Sequence, residues 1–207
     1  MAKYPAYENG DILAVIDVET TGLIAGYHDL IQVCVLILES DFTPSESISP
    51  FYLNIKPVRP QNADKRALKV TGLTMDTLFQ GVDSYEAADA FDDWVTGLGL
   101  GDRCRILPIA HNWTFDKGFI RDWLGVTAFD TYISHKYRDT MIMGNFLNDV
   151  ADAQCENRPF RHLSLNHMCS RLSISVVGHH NALKDCIIEA KLYKRLISMI
   201  KRSEVIR

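Results

Sequence analysis

Nowhere in this 207-residue chain do apolar residues run long enough to cross a bilayer. The longest unbroken stretch, Val33 to Leu38, is six residues, against the ~20 that a spanning helix needs. Met1 to Gly10 carries no apolar segment of the kind a signal peptide requires, so the expected compartment is the cytoplasm, with no membrane partner. Cysteine is scarce: Cys34, Cys104, Cys155, Cys169 and Cys186 form no CxxC spacing and are odd in number. That pattern suits reduced, mostly buried thiols rather than a disulfide framework or a zinc knuckle. There is no Pro/Gly/Ser-rich tract, internal repeat or charge block. No GxxxxGK[ST] or HExxH pattern is present, and Gly97-Leu98-Gly99-Leu100-Gly101 lacks the spacing of a dinucleotide-binding turn. Positive charge is short too. With 22 Lys+Arg against 26 Asp+Glu the net charge is −4, which at first argues against a protein that neutralises many phosphates.

What is there suits a single globular α/β domain: 47% of residues are hydrophobic and 23% charged, enough to bury a core. A polar arm over residues 1–10 precedes one domain over 11–207. Ile12 to Ile16 is a continuous apolar run, as in a central strand covered on both faces, and Leu30 to Leu38 is a second strand rich in β-branched residues. A third strand is expected near Phe51 to Lys56, making an antiparallel meander. The period then changes to helical, with Tyr85, Ala88, Phe91, Val95 and Leu98 on one face of a helix over residues 83–98. Ile106 to Ala110 reads as a fourth strand, followed by a helix stopped at Gly125. A fifth strand is expected near Ile133 to Arg138. Helices near 141–153 and 164–172 follow, and a last helix starts near Asn181.

Chemistry-bearing residues fall at the ends of these elements. Asp17 and Glu19 sit two apart at the end of the first strand, so their side chains share one face of the sheet. Alone, such a pair reads as solvated turn acids. His111-Asn112-Trp113-Thr114-Phe115-Asp116 puts a third carboxylate in the first turn of a helix, where the helix dipole favours acids. His180-Asn181-Ala182-Leu183-Lys184-Asp185 puts a fourth on the last helix, with a histidine just before it.

Together DVETTG, HNWTFD and HNALKD resemble, in order, spacing and placement, the three motifs of the DEDDh 3′–5′ exonuclease family, which includes DnaQ-like proofreading subunits of bacterial DNA polymerase III. The resemblance runs from about Ile12 to the final helix. Val70 to Thr74 and Ser164-Leu165 resemble further short family segments. It implies a ribonuclease H-like fold: a mixed five-stranded sheet, second strand antiparallel, flanked by helices. It also implies two divalent ions, Mg²⁺ with Mn²⁺ as a substitute, held by Asp17, Glu19, Asp116 and Asp185, and His180 as general base. Hard divalent cations prefer oxygen ligands, and an ion pair of this kind clamps the attacking and leaving oxygens of a phosphoryl displacement. An imidazole that titrates near neutrality suits a base acting on water. Histidine, with Asn181 in place of the tyrosine of a sister subfamily, stands five residues before the last aspartate. His179 is an adjacent competitor for the base role.

Carried over in the same way, Thr20, Thr21 and Gly22 meet the 3′-terminal nucleotide, Leu23 wedges against its base, Phe115 stacks on a neighbouring base, and Asn112 contacts substrate or holds the loop. For Leu23 and Phe115, core packing is an equal alternative. Removing the four site carboxylates takes the net charge from −4 to 0, and two divalent ions would add +4, so acidity is no veto. The expected activity is release of nucleoside 5′-monophosphates from single-stranded 3′ ends, with DNA favoured. An RNA-trimming enzyme resembling ribonuclease T or oligoribonuclease is the alternative, and a catalytically silent nucleic-acid-binding module a remoter one. Only 22 residues follow Asp185. A nuclease acting alone, as monomer or homodimer, is therefore expected over one tethered to a polymerase.

Overall fold

The structure is a computed structural model that describes residues 5–8, 10–101, 103–178 and 180–202. Its centre is β2 (Asp11–Thr20), flanked by β3 (Leu30–Ile37) on one side and β5 (Ile106–Ala110) on the other. The sheet order is β4-β3-β2-β5-β6, where β4 is Phe51–Asn54 and β6 is Arg138–Asp139. β2, β3 and β4 pair antiparallel, as the meander requires, while β5 and β6 join in parallel. The expected mixed sheet with an antiparallel second strand and flanking helices is thus present.

Three details differ from expectation. The sheet has six strands, because β1 (Tyr7–Glu8), inside the expected arm, pairs antiparallel with the start of β2. Two residues carry no periodicity by which a sequence could announce a strand. The expected strand at 133–138 shrinks: Ile133 makes a single bridge to Ile106, and the paired residues are Arg138 and Asp139. The helix that follows β5, α4 (Trp113–Tyr132), does not stop at Gly125. It kinks there (φ 75°, ψ 160°), a backbone conformation open to glycine, and runs on. Two short helices not anticipated, α1 (Lys65–Thr71) and α2 (Met75–Leu78), precede α3 (Ser84–Gly97).

Alternation along β2 sorts the core into two layers. Ile12, Ala14, Ile16 and Val18 face Phe91 of α3 and Trp113, Phe119 and Ile120 of α4. Leu13 and Val15 face Ala182, Cys186, Ala190 and Tyr193 of α7 (Ala182–Arg202). A third cluster joins α7 to α5 (Thr140–Ala153) and α6 (Leu165–Arg171) through Leu147, Leu165, Met168, Leu192 and Leu196. By the same alternation Asp17 and Glu19 continue the Leu13–Val15 face, past the point where α7 begins. Among the described residues no helix is long and apolar enough to cross a membrane.

Phe91 is 1% exposed and rings with Phe51, Trp94, Trp123 and Tyr132. Phe91→Ala is expected to cost about 3–5 kcal/mol in denaturant unfolding. A loss below about 1 kcal/mol would show that this layer does not carry the fold.

Candidate active site

The site forms where β2 ends and α7 starts. A β-bulge between Glu19 and Thr20 breaks the β2–β3 register there, a device that re-aims side chains near functional positions. Gln32 of β3, buried, donates to Asn54 Oδ1 and accepts the Ala182 N–H at 2.7 Å, fixing the first residue of α7 to the sheet. Asn181 caps the helix by accepting from Lys184 N at 3.2 Å, and its amide donates to the Tyr52 hydroxyl at 2.8 Å. Asp185 therefore sits in the first turn, at the positive end of the helix dipole, with Oδ2 accepting the His180 N–H at 2.8 Å.

These constraints bring one carboxylate oxygen each of Asp17, Glu19 and Asp185 within 4.8 Å of one another. Asp116 is buried next to them, outside that set, and its Oδ1 accepts the Val18 N–H at 3.2 Å. Two acids not singled out by the motifs complete the surroundings. Glu189, one turn after Asp185 on α7, is 1% exposed and accepts the backbone N–H of His111. Asp139, also buried, caps two helices at once: it accepts from Asn112 and Trp113 at the start of α4, and from Met141 and Ile142 at the start of α5. The signals for both were present in the sequence. Glu189 has the i+4 spacing from Asp185 that puts it on the same helix face, and Asp139 stands where an N-cap acid would.

Electrostatics follow from this crowding. Burial, then Glu189, Asp116, Glu19 and Asp185, push the Asp17 carboxyl well above the ordinary range. Burial also raises Asp116, against the opposing effect of backbone N–H groups, and Glu189 rises well up for the same first cause. Glu19 is pushed up to about 7, by burial and then by Asp185. Asp17 Oδ2 and Glu189 Oε2 are buried with no hydrogen-bond partner among the described residues. An all-oxygen donor set with buried, unsatisfied carboxylate oxygens fits a hard divalent cation, which would replace the missing protons.

A cavity of ≈ 340 Å³ opens beside Glu19, lined by Thr20, Gly22, Leu23 and Phe115 together with Val70 and Thr71 of α1. Leu23 is 79% exposed, so it projects as a wedge would and is not core. Phe115 is half-buried and packs on Phe119, with ring centroids 5.0 Å apart. Gly22 is fixed by close approach, since a Cβ there would lie 2.1 Å from the His28 ring. Thr21 is fully buried and serves the loop: its hydroxyl accepts from Asp29 N, and its carbonyl accepts from Asp64 N at the start of α1. Asn112 is exposed in the left-handed region (φ 72°), away from this cavity's lining. His180 is exposed at φ 69°. His179 lies outside the described residues.

Comparison with known proteins agrees with this geometry. The model of the RNase_T family, described as Exonuclease, matches residues 14–193. The chain is 29% identical over 187 residues to the PolC-type DNA polymerase III of Bacillus subtilis (strain 168), covering 90% of this chain and 11% of the polymerase. It therefore spans about a ninth of the length of such relatives. Exonuclease I of E. coli, solved in complex with a dT13 oligonucleotide, superposes with a TM-score of 0.71 at 16% identity, over 92% of this chain and 42% of that one. Cell-death related nuclease 4 (CRN-4) gives 0.67 at 19%, over 90% and 64%.

The raised acids set a pH dependence. Glu19 binds its proton more tightly folded than unfolded, so its contribution to stability is full below its ordinary value of 4.5 and is lost as pH rises through about 7. Cation binding reverses the loss, because it stabilises the ionised form. Melting curves in EDTA should show stability falling over that window, and Mn²⁺ should raise the melting temperature more at about pH 8 than at about pH 5. An equal Mn²⁺ effect at both pH values would contradict a carboxylate cation site.

Proposed function

This chain belongs to the exonuclease family, among its DEDDh, DnaQ-like 3′–5′ members, and we propose that it removes nucleoside 5′-monophosphates from the 3′ ends of single-stranded DNA. The observation that carries this reading is the convergence of Asp17, Glu19 and Asp185 within 4.8 Å, beside a cavity that Glu19 itself lines. The shape and apolar lining of that cavity suit a terminal nucleobase, with Leu23 and Phe115 as its contacts. Thr20 and Gly22 stand beside the 3′ hydroxyl, and Thr21 holds their loop in place. DNA is favoured because exonuclease I is solved with a DNA oligonucleotide and the PolC relatives are DNA polymerases.

Asp17, Glu19 and Asp185, with Asp116 beside them, would hold Mg²⁺ or Mn²⁺, which when bound neutralises charge on the phosphate and acidifies water. The chain's own groups do the rest. His180, on a left-handed residue at the mouth of the site, takes the proton of the attacking water through its imidazole. Its backbone N–H meanwhile holds Asp185 Oδ2, so one residue supplies the base and aligns a cation ligand. Asp116, anchored to Val18 N, keeps β2 and α4 in register around the phosphate. Burial of the acids beneath the sheet end excludes bulk water from all but the attacking position. The nuclease works in the cytoplasm without a tethered polymerase.

A time course on matched 5′-labelled DNA and RNA oligomers, with Mg²⁺ and with EDTA, tests this reading. A ladder shortening from the 3′ end, faster on DNA and abolished by EDTA, is the expected result. Asp17→Asn and Asp185→Asn should each lower the rate by on the order of 10³-fold or more. His180→Ala should lower it by about 10²–10⁴-fold while Mn²⁺ binding persists. Faster cleavage of RNA would make the chain an exoribonuclease, and binding without cleavage of either would make it a silent module.

A further inference from the structure

A second concave site lies on the outer side of α4. Its cavity, ≈ 390 Å³, is lined by Arg105, Lys117, Arg121 and His135, over a floor of Phe129 and Ile133, and Asp130 is the one acid in its lining. Lys117 and Arg121 are one turn apart on the same helix face, and Arg105 reaches in from the entry to β5. The nearest acid in sequence register, Asp11, is already engaged: Oδ1 accepts from Arg105 N at 3.0 Å and Oδ2 from the Ser134 hydroxyl at 3.1 Å. Among the described residues none of the three cationic side chains forms a hydrogen bond or an ion pair.

In a chain with four more acids than bases, converging three cations on one cavity without an internal counter-charge is unfavourable by itself, since each pair repels. An anion in the cavity removes that cost, and guanidinium groups match the oxygen geometry of a phosphate. The position gives a direction. Lys117 directly follows Asp116, and Arg121 lies about 8 Å farther along α4 at 1.5 Å per residue, so a strand with its 3′ end among the acids can pass close by.

We propose that the Arg105–Lys117–Arg121 cavity is a phosphate-binding subsite that takes a backbone phosphate of the bound strand, upstream of the bond being cut. It rests on the nuclease reading for the strand, and on its own geometry for the phosphate. The strand would thus be gripped at two points, the acids with their cation at the end and this cationic cavity behind it. That resolves how an acidic protein holds a polyanion.

The test uses the full chain made inactive by Asp17→Asn, in EDTA, where the acid cluster repels anions. Arg105→Gln and Arg121→Gln are added together, with Lys117→Gln alone as a second variant should the pair fail to fold. Anisotropy with 5′-labelled dT oligomers across a salt series is paired with calorimetric titration of inorganic phosphate. The pair should weaken oligomer binding about tenfold and flatten the log–log salt slope by about 0.7 for each cation removed, and should weaken phosphate binding as well. Lost phosphate binding with an unchanged oligomer slope would overturn the strand assignment and leave a site for free phosphate. No change in either would overturn the subsite. If the parent protein binds no oligomer at all, the nuclease reading fails, and the phosphate titration still decides whether the cavity binds an anion.

Discussion

Mutual repulsion among carboxylates is the constraint on which this structure turns. Three acids with oxygens within 4.8 Å of one another repel by about 3 kcal/mol or more per pair at an effective dielectric near 20, and Asp116 and Glu189 add to the burden from behind. A fold that needed only stability would replace them with apolar groups. The chain instead spends its best-ordered elements on holding them together, which makes sense when a doubly charged cation is the missing member of the cluster.

The scaffolding explains how the repulsion is withstood. β2 is paired on both edges and packed on both faces, so the strand end that carries Asp17 and Glu19 cannot drift. Gln32 ties the first N–H of α7 to the sheet, and the helix dipole meets the Asp185 charge. Asp139 caps α4 and α5 together, and Glu189 takes the His111 peptide. The result joins three distant segments through backbone donors rather than through flexible side chains. Preorganised donors of this kind cost no reorganisation when charge develops during a reaction.

Much of this was legible before any coordinates. The Asp17–Glu19 spacing at the end of an apolar strand, the acid in the turn after Ile106–Ala110 and the His180–Asp185 pair each carried a local signal, and their order made them one site. What was not legible depended on pairings with no local signature. β1 is two residues held by the start of β2, and Arg138–Asp139 becomes strand only because β5 lies beside it. The helical period broke at Gly125, yet the kink lets α4 continue because Phe129 has a place in the core. Leu23 and Phe115 could be wedge and stacking residues or core until the fold left Leu23 in solvent and put both on one cavity. Glu189 and Asp139 had the right spacing and position, but nothing in one dimension showed that they approach the same acids.

The central claim is that the converged carboxylates exist to bind a divalent cation. Calorimetric titration of the metal-free protein with Mn²⁺ at neutral pH, beside Asp185→Asn, tests it most directly. The account predicts saturable binding that releases protons, since the ligands must ionise, and its loss in the variant. Absence of binding, or binding that survives Asp185→Asn unchanged, would contradict it.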